Sequence, residues 1–387
     1  MLRNIPLIAG VNMFEVINVD EEGRFGGPER RIINVARALH RKSVETTVVL
    51  PELDNERFVA YANTLGVKYQ ALDITRLSLE PAILARYARR FPRELYILMK
   101  FFKSNSARLV HVNGASQFKV AIAAKLSGKK TVWHLNNTYL KLPVKLMFII
   151  LSRMCADGII YAGFRAGEYY RVAERFKNLP TSNIEAPVLQ NFFECDTLKT
   201  VNKKLQISIL GGVNPAKSLE DVVLVAALLN RSDVDFQISI AGKILSSQLN
   251  YRRKLDELIQ SNQLETRIKF LGEVADVPEL VRNSDIILTM SNREASPTAV
   301  WEGLAAGRIV ISTDVGSVRQ HIQHQFNGFI VGIGEIDAVA AIIKNIVSNI
   351  YPLSDIAMEA RETAKKNFSL STISKRHFEI YEEILNR

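Results

Sequence analysis

Ser291–Gly316 reads "SNREASPTAVWEGLAAGRIVISTDVG" and follows the apolar run "DIILTM", Asp285–Met290. Ile286–Met290 has the length and composition of a buried strand. Ser296 suits a helix N-cap and Pro297 the first helical position. The helix should run to Ala306 and stop at Gly307, a usual C-terminal residue. Ile309–Ser312 then reads as a second buried strand. A strand, a short loop, a helix and a strand in this order make a parallel βαβ unit. The helix N-terminus, with its unpaired amides and positive dipole end, makes an anion site beside Glu294.

The same alternation extends in both directions. Candidate strands in the first half are Pro6–Val11, Thr46–Leu50, Val67–Leu72, Arg108–Val112, Thr131–Leu135 and Gly158–Tyr161. Helical patterns separate them, such as "GPERRIINVARALHRK", where Ile32, Ile33, Val35, Ala36 and Leu39 recur at roughly helical spacing. The second half restarts with Gln206–Leu210, Gln237–Ala241, Ile268–Leu271, Ile286–Met290, Ile309–Ser312 and Gly328–Val331. Between the halves, "LPTSNIEAPVLQNFFECDTLKTVNKK" has weaker periodicity and two prolines, which places a junction near residue 198. The fold class is therefore α/β, with two doubly wound, Rossmann-like domains expected to face a cleft. The expected limits are 1–198, 199–365 and a C-terminal helix, 366–387, packing back on the first domain. Ligands of such sheets bind beyond the carboxyl ends of the strands.

Composition sets the outer limits. A chain of 387 residues suits two domains. Two cysteines, Cys155 and Cys195, cannot build a disulfide framework, so a reduced, cytoplasmic setting is expected. The most apolar helical stretch, Leu140–Ala156, is interrupted by Lys141, Lys145 and Arg153, unlike a membrane span. The N-terminal apolar run reads as a first buried strand in preference to a signal peptide, because a glycine-rich loop and a helix follow it. The net charge of +10 favours anionic partners without choosing among them. Basic residues are dispersed and no nucleic-acid motif is present, so nucleic acid is not an expected partner.

Glu294 and Glu302 are eight residues apart, which on a helix is about 12 Å. A retaining hydrolase needs its two carboxyl groups about 5 Å apart and an inverting one under about 10 Å. The two glutamates fit opposite ends of one extended ligand better, or else a surface loop and a solvated helix face.

The stretch "EASPTAVWEGLAAG" resembles the E-x7-E region of glycosyltransferase family 4, retaining enzymes of the GT-B fold, matching at both glutamates and at the helix end. The resemblance implies that Glu294 contacts hydroxyls of the donor sugar and Glu302 the ribose. It assigns the donor diphosphate to the backbone around Ser296, Pro297 and Thr298. "ILGGVNPAKSLED" is similar to the family's Gly-Arg-Leu-x-x-x-Lys-Gly turn: Lys217 matches the phosphate-neutralising lysine, whereas Gly212 stands in place of the arginine and Ser218 in place of the second glycine. "RFGGPERRIINVARALHRK" resembles the family's Gly-Gly-x-Glu-Arg opening, with Gly26 and Gly27 letting backbone approach the diphosphate. His134 matches a histidine that touches the transferred sugar; His111, ending the neighbouring strand, is an alternative, and either can be structural. Gln320 departs from a frequent glutamate.

The resemblance implies retaining transfer from a UDP-, GDP- or ADP-sugar to a carbohydrate or lipid-linked acceptor, in polysaccharide, lipopolysaccharide or glycolipid synthesis. Glu294, His134 and Lys217 form the implied catalytic set. Neither a cofactor nor a metal is expected. A non-catalytic sugar-binding scaffold and a nucleotide-sugar epimerase stay open as alternatives. Ala85–Arg108, "ARYARRFPRELYILMKFFKSNSAR", interleaves seven basic residues with aromatics, so peripheral contact with an anionic membrane face is a further expectation. Pro92 is expected to split it into two short helices.

Overall fold

The computed structural model describes residues 13–387. The expected strand Pro6–Val11 lies outside them. The strands are β1 Phe14–Val19, β2 Val44–Pro51, β3 Tyr69–Leu72, β4 Leu109–Asn113, β5 Lys130–Leu135, β6 Gly158–Tyr161, β7 Thr181–Asn183, β8 Leu205–Leu210, β9 Phe236–Ala241, β10 Ile268–Gly272, β11 Ile286–Thr289, β12 Ile309–Thr313 and β13 Phe329–Val331. They form two parallel sheets, ordered β3-β2-β1-β4-β5-β6-β7 and β10-β9-β8-β11-β12-β13. Both reverse direction of strand order once, between β1 and β4 and between β8 and β11, which are the positions where doubly wound folds bind ligands. Strand interiors such as Ile286–Leu288 and Ile309–Ile311 are fully buried, as sheets covered on both faces require.

Two compact units follow. One comprises the described residues through Pro187 together with Leu370–Arg387; the other is Val188–Ser369. The junction falls before residue 198 because Val188, Phe192 and Cys195 bury themselves with Trp301 and Leu304 of the second unit. In the first unit, the helix Leu370–Leu385 packs on the helix Gly27–His40, burying Ile373, Ile380, Tyr381 and Ile384 with Val35 and Leu39. Gly158 makes room for it: a Cβ there would stand 2.4 Å from Ile384 Cδ1.

Pro92 does not split its segment. One helix runs from Pro81 to Ser104, with Pro92 exposed in its interior. The reason lies on the opposite face, where Tyr87, Glu94, Leu98 and Phe102 are buried, so packing holds the helix together across the missing amide. Glu94 is fully buried and serves the fold. It receives Arg90 Nε at 2.7 Å and the Thr75 amide at 3.1 Å, and pairs with the buried Lys119. Two strands have no counterpart in the sequence reading: β1, Phe14–Val19, which follows the expected Pro6–Val11, and β7, a three-residue polar edge strand that carries no hydrophobic period.

Candidate functional site

In the second unit, two loops leave β8 and β11 at the reversal of strand order. The first, Gly211–Ser218, turns sharply. Gly211 has φ +130°, a conformation side chains rarely adopt, and a Cβ on it would meet Lys217 Cε at 2.7 Å. Gly242, after β9, passes so close that its Cβ would stand 1.8 Å from the Gly211 oxygen. Asn214 caps the short 3-10 turn Pro215–Lys217 by accepting the Ala216 amide at 3.0 Å. Gly212, at the position of the absent arginine, accepts Asn214 Nδ2 at 2.9 Å.

The second loop, Ser291–Pro297, is tied to the first. The Asn292 amide donates to the Ala216 oxygen at 3.0 Å, and Thr313 Oγ1 holds the Ser291 oxygen at 2.6 Å. Lys217 Nζ reaches Glu294 Oε1 at 2.6 Å, and Ser291 Oγ donates to the same oxygen at 3.0 Å. Both charged side chains are about one-fifth exposed. A lysine and a carboxylate are thus in contact at a strand end, open to solvent on one side.

The helix after this loop spans Thr298–Ala305, with Pro297 as its N-cap. This corrects the expected cap at Ser296, whose Oγ instead accepts Trp301 Nε1 at 3.1 Å. Pro297 is buried and Thr298 exposed, and the first-turn amides of Thr298 and Ala299 have no intrahelical acceptor. Gly316, at φ +58°, lets the following loop lie against this one: a Cβ there would stand 2.5 Å from the Ala295 oxygen. The helix ends in a Schellman pattern: Arg308 N bonds the Gly303 oxygen at 3.0 Å and Gly307 N the Leu304 oxygen at 2.9 Å, with Gly307 at φ +60°. Glu302 is half-buried on this helix.

In the first unit, the Gly26 amide donates to Glu29 Oε2 at 2.7 Å, so one amide of the glycine pair is already taken. Gly27 begins the helix and has open space around its Cα. His134, at the end of β5, is fully buried. Arg31 Nη1 lies 2.6 Å from its Nε2, and His111 Nε2 lies 3.1 Å from its Nδ1. His111 Nδ1 in turn lies 2.6 Å from the Tyr381 hydroxyl. Arg31 Nη1 also lies 3.1 Å from His134 Nδ1, so the guanidinium, which only donates, sits against both ring nitrogens. Burial holds both histidines well below the usual imidazole range, and Arg31 adds to this. Burial likewise lowers His377, the third member of the cluster, to about 3.

The ring nitrogens of His111, His134 and His377 lie within 4.8 Å of one another. This is a trio that could ligate a metal, but His134 Nε2 is occupied by a cation. A metal there would face the Arg31 charge, and the donor set fits a neutral hydrogen-bond chain better.

A family model described as Glycosyl transferases group 1 matches residues 196–367, and one described as Glycosyltransferase Family 4 matches residues 25–170. The chain belongs to the group 1/family 4 glycosyltransferases. It is similar to N-acetyl-alpha-D-glucosaminyl L-malate synthase of Bacillus anthracis, 28% identical over 33% of this chain and 34% of that protein. It is also similar to the putative glycosyltransferase EpsD of Bacillus subtilis, 26% identical over 57% and 55%. The matched segments therefore span between about a third and about a half of these relatives' lengths. Among solved structures, Anabaena HepE in complex with UDP superposes with a TM-score of 0.79 at 19% identity, covering 96% of this chain and all of that one. This likeness establishes the glycosyltransferase GT-B fold.

Within this glycosyltransferase, Lys217 and Glu294 were singled out by the sequence as separate site residues, and the contact between them was not foreseen. The Arg31–His134–His111–Tyr381 chain was not foreseen either, because its members are scattered from residue 31 to residue 381. The available signal was Arg31 itself, a second consecutive arginine near the positive end of a helix, where a cation has no local reason to be.

Proposed function

We propose that this protein is a retaining glycosyltransferase that moves a sugar from a nucleoside-diphosphate donor to a carbohydrate or lipid-linked acceptor, in the assembly of a cell-surface polysaccharide or glycolipid. The observation that carries this reading is the pairing of Lys217 with Glu294 beside the N-terminus of the Thr298–Ala305 helix. A donor diphosphate needs fixed positive groups as its leaving charge develops, and such groups are the largest expected catalytic contribution. Lys217 and the first-turn amides around Pro297 and Thr298 supply them. Glu294 is assigned to donor-sugar hydroxyls and Glu302 to the ribose. When donor binds, Lys217 exchanges its contact with Glu294 for phosphate oxygens, and Glu294 is released toward the sugar. UDP is the first nucleotide to try, since HepE has been solved with UDP and with UDP-glucose.

His134 is assigned as a neutral group near the transferred sugar. Both of its ring nitrogens are engaged, so it cannot serve as a general base without breaking that chain. The departing phosphate is the proposed proton acceptor for the incoming hydroxyl. A non-catalytic scaffold is the second reading, favoured by Gly212 in place of a phosphate-binding arginine. Release of UDP from UDP-sugars distinguishes them: a scaffold binds donor without turnover.

We place the working protein at an anionic membrane face. Among the described residues, no helix is long and apolar enough to cross a membrane. The support comes from two exposed faces of the first unit. Arg86, Arg89, Arg93, Lys100 and Lys103 stay exposed on the Pro81–Ser104 helix, although most of its aromatics are buried or half-buried. The helix Leu142–Cys155 exposes Leu142, Leu146, Met147, Ile150 and Met154 along one face, each 46–68% accessible. The helix Phe118–Leu126 packs between these two. An apolar face near a basic one suits an interfacial position.

A further inference from the structure

Arg31 is a partly exposed cation whose contacts within the protein are all neutral. Its Nη1 lies 2.6 Å from His134 Nε2 and 3.1 Å from Nδ1, and its Nη2 bonds Asn113 Oδ1 at 2.8 Å. Among the described residues, no carboxylate stands within ion-pair distance of it. The acids that act on it at longer range, Asp20 and Glu29, are committed elsewhere. Asp20 Oδ1 accepts Gln117 Nε2 and the Glu22 amide, each at 3.0 Å, and Glu29 Oε2 accepts the Gly26 amide. Arg31 is also rigidly held. Asn113 is anchored to the Val19 oxygen at 2.9 Å and to Asn18, and His134 through His111 to Tyr381.

This arrangement lies at the carboxyl ends of β1, β4 and β5, where Asn113 and His134 are register partners. The guanidinium fork has five N–H donors, more than its two neighbours use. A half-buried arginine without a counter-ion is electrostatically incomplete, and a planar oxyanion is the group that a fork of this shape recognises.

We propose that Arg31 binds a carboxylate or phosphate carried by the acceptor substrate, so that this residue selects anionic acceptors. The inference rests on the transferase reading for the word acceptor; the oxyanion site itself does not. The neutral state of His134 belongs to the same design, because a protonated imidazole would repel Arg31 and compete for the anion.

The test is calorimetric titration of the full chain with inorganic phosphate, with succinate and, separately, with UDP, GDP and ADP. Wild type, Arg31→Gln and Arg31→Lys are compared, with thermal melts to show that each is folded. Wild type should bind phosphate or succinate, Arg31→Gln should bind at least tenfold more weakly, and Arg31→Lys should fall between. UDP affinity should be the same in all three, and saturating UDP should not displace the anion. Equal anion affinity in wild type and Arg31→Gln, or no anion binding by wild type, overturns the proposal. Displacement of the anion by UDP also overturns it, by assigning the site to the donor diphosphate. Failure of UDP, GDP and ADP alike to bind while the anion binds at Arg31 would instead remove the transferase reading and leave the oxyanion site standing.

Discussion

Lys217 Nζ stands 2.6 Å from Glu294 Oε1, joining a loop after β8 to a loop after β11 across 77 positions of sequence. Each side chain satisfies the other while keeping a face toward solvent. Such a pair is easily exchanged for a ligand, because a partly exposed salt bridge contributes little net stability, about 0–1 kcal/mol.

That cheapness gives the first prediction. Lys217→Ala and Glu294→Gln should each lower sugar transfer at least tenfold with the melting temperature nearly unchanged. A lost charged hydrogen bond to the reacting ligand is worth roughly 1.5–3 kcal/mol, more than the surface pair itself. Steady-state transfer rates beside thermal melts of the same preparations check both halves. Wild-type rates in both variants would remove these residues from the site.

Transfer should persist in excess EDTA. Charge neutralisation is assigned to Lys217 and to helix amides, which no chelator removes. The measurement is the rate before and after chelation, followed by added magnesium or manganese. A rate lost to EDTA and restored by either ion would show that a metal shares the phosphate.

Acidification should destabilise the first unit through its histidines. His111, His134 and His377 are all held below the ordinary imidazole range by burial, His377 at about 3. A group lowered in the folded state favours folding fully above its unfolded value near 6.5 and loses that contribution as pH falls toward the folded value, up to about 1.4 kcal/mol per pH unit for each proton taken up on unfolding. Glu21 opposes this. Burial pushes it up to about 7, so its contribution is greatest at low pH and is lost as pH rises from about 4.5 through 7. The melting temperature should therefore fall between pH 6.5 and 4.5, less steeply in His377→Asn and more steeply in Glu21→Gln. Parallel curves for all three proteins would contradict the assignment.

The membrane proposal predicts co-sedimentation with anionic vesicles and not with neutral ones. Binding should weaken with salt, and it should drop when Arg86, Arg89, Arg93 and Lys100 are replaced by glutamine, since each cation near such a surface adds about 1 kcal/mol. Replacing Leu146 and Ile150 by serine should weaken binding further with no change in the salt dependence. Equal binding to both kinds of vesicle would count against an electrostatic attachment.

Much of the fold was legible because buried parallel strands are short apolar runs separated by helix-length patterns. The runs around Thr46–Leu50, Arg108–Val112, Gln237–Ala241 and Ile309–Ser312 needed only small changes at their ends. Local signals failed where tertiary packing outweighed them. Pro92 remains within a helix because the opposite face is buried, and Ser296 gives up capping to bond Trp301. Glu294 stood out in a loop between a strand and a helix N-terminus, and Lys217 through the resemblance of its turn to the family's. The rest depends on long-range convergence, as when Tyr381 of the final helix reaches His111 on β4. No sequence period records such a contact.

The most direct test of the central claim is release of nucleoside diphosphate from a panel of UDP-, GDP- and ADP-sugars, with wild type and Lys217→Ala measured side by side. Wild type should bind and turn over the sugars of one nucleotide, and Lys217→Ala should lose at least tenfold of that rate. A folded wild-type protein that neither binds nor cleaves any donor in the panel would contradict it.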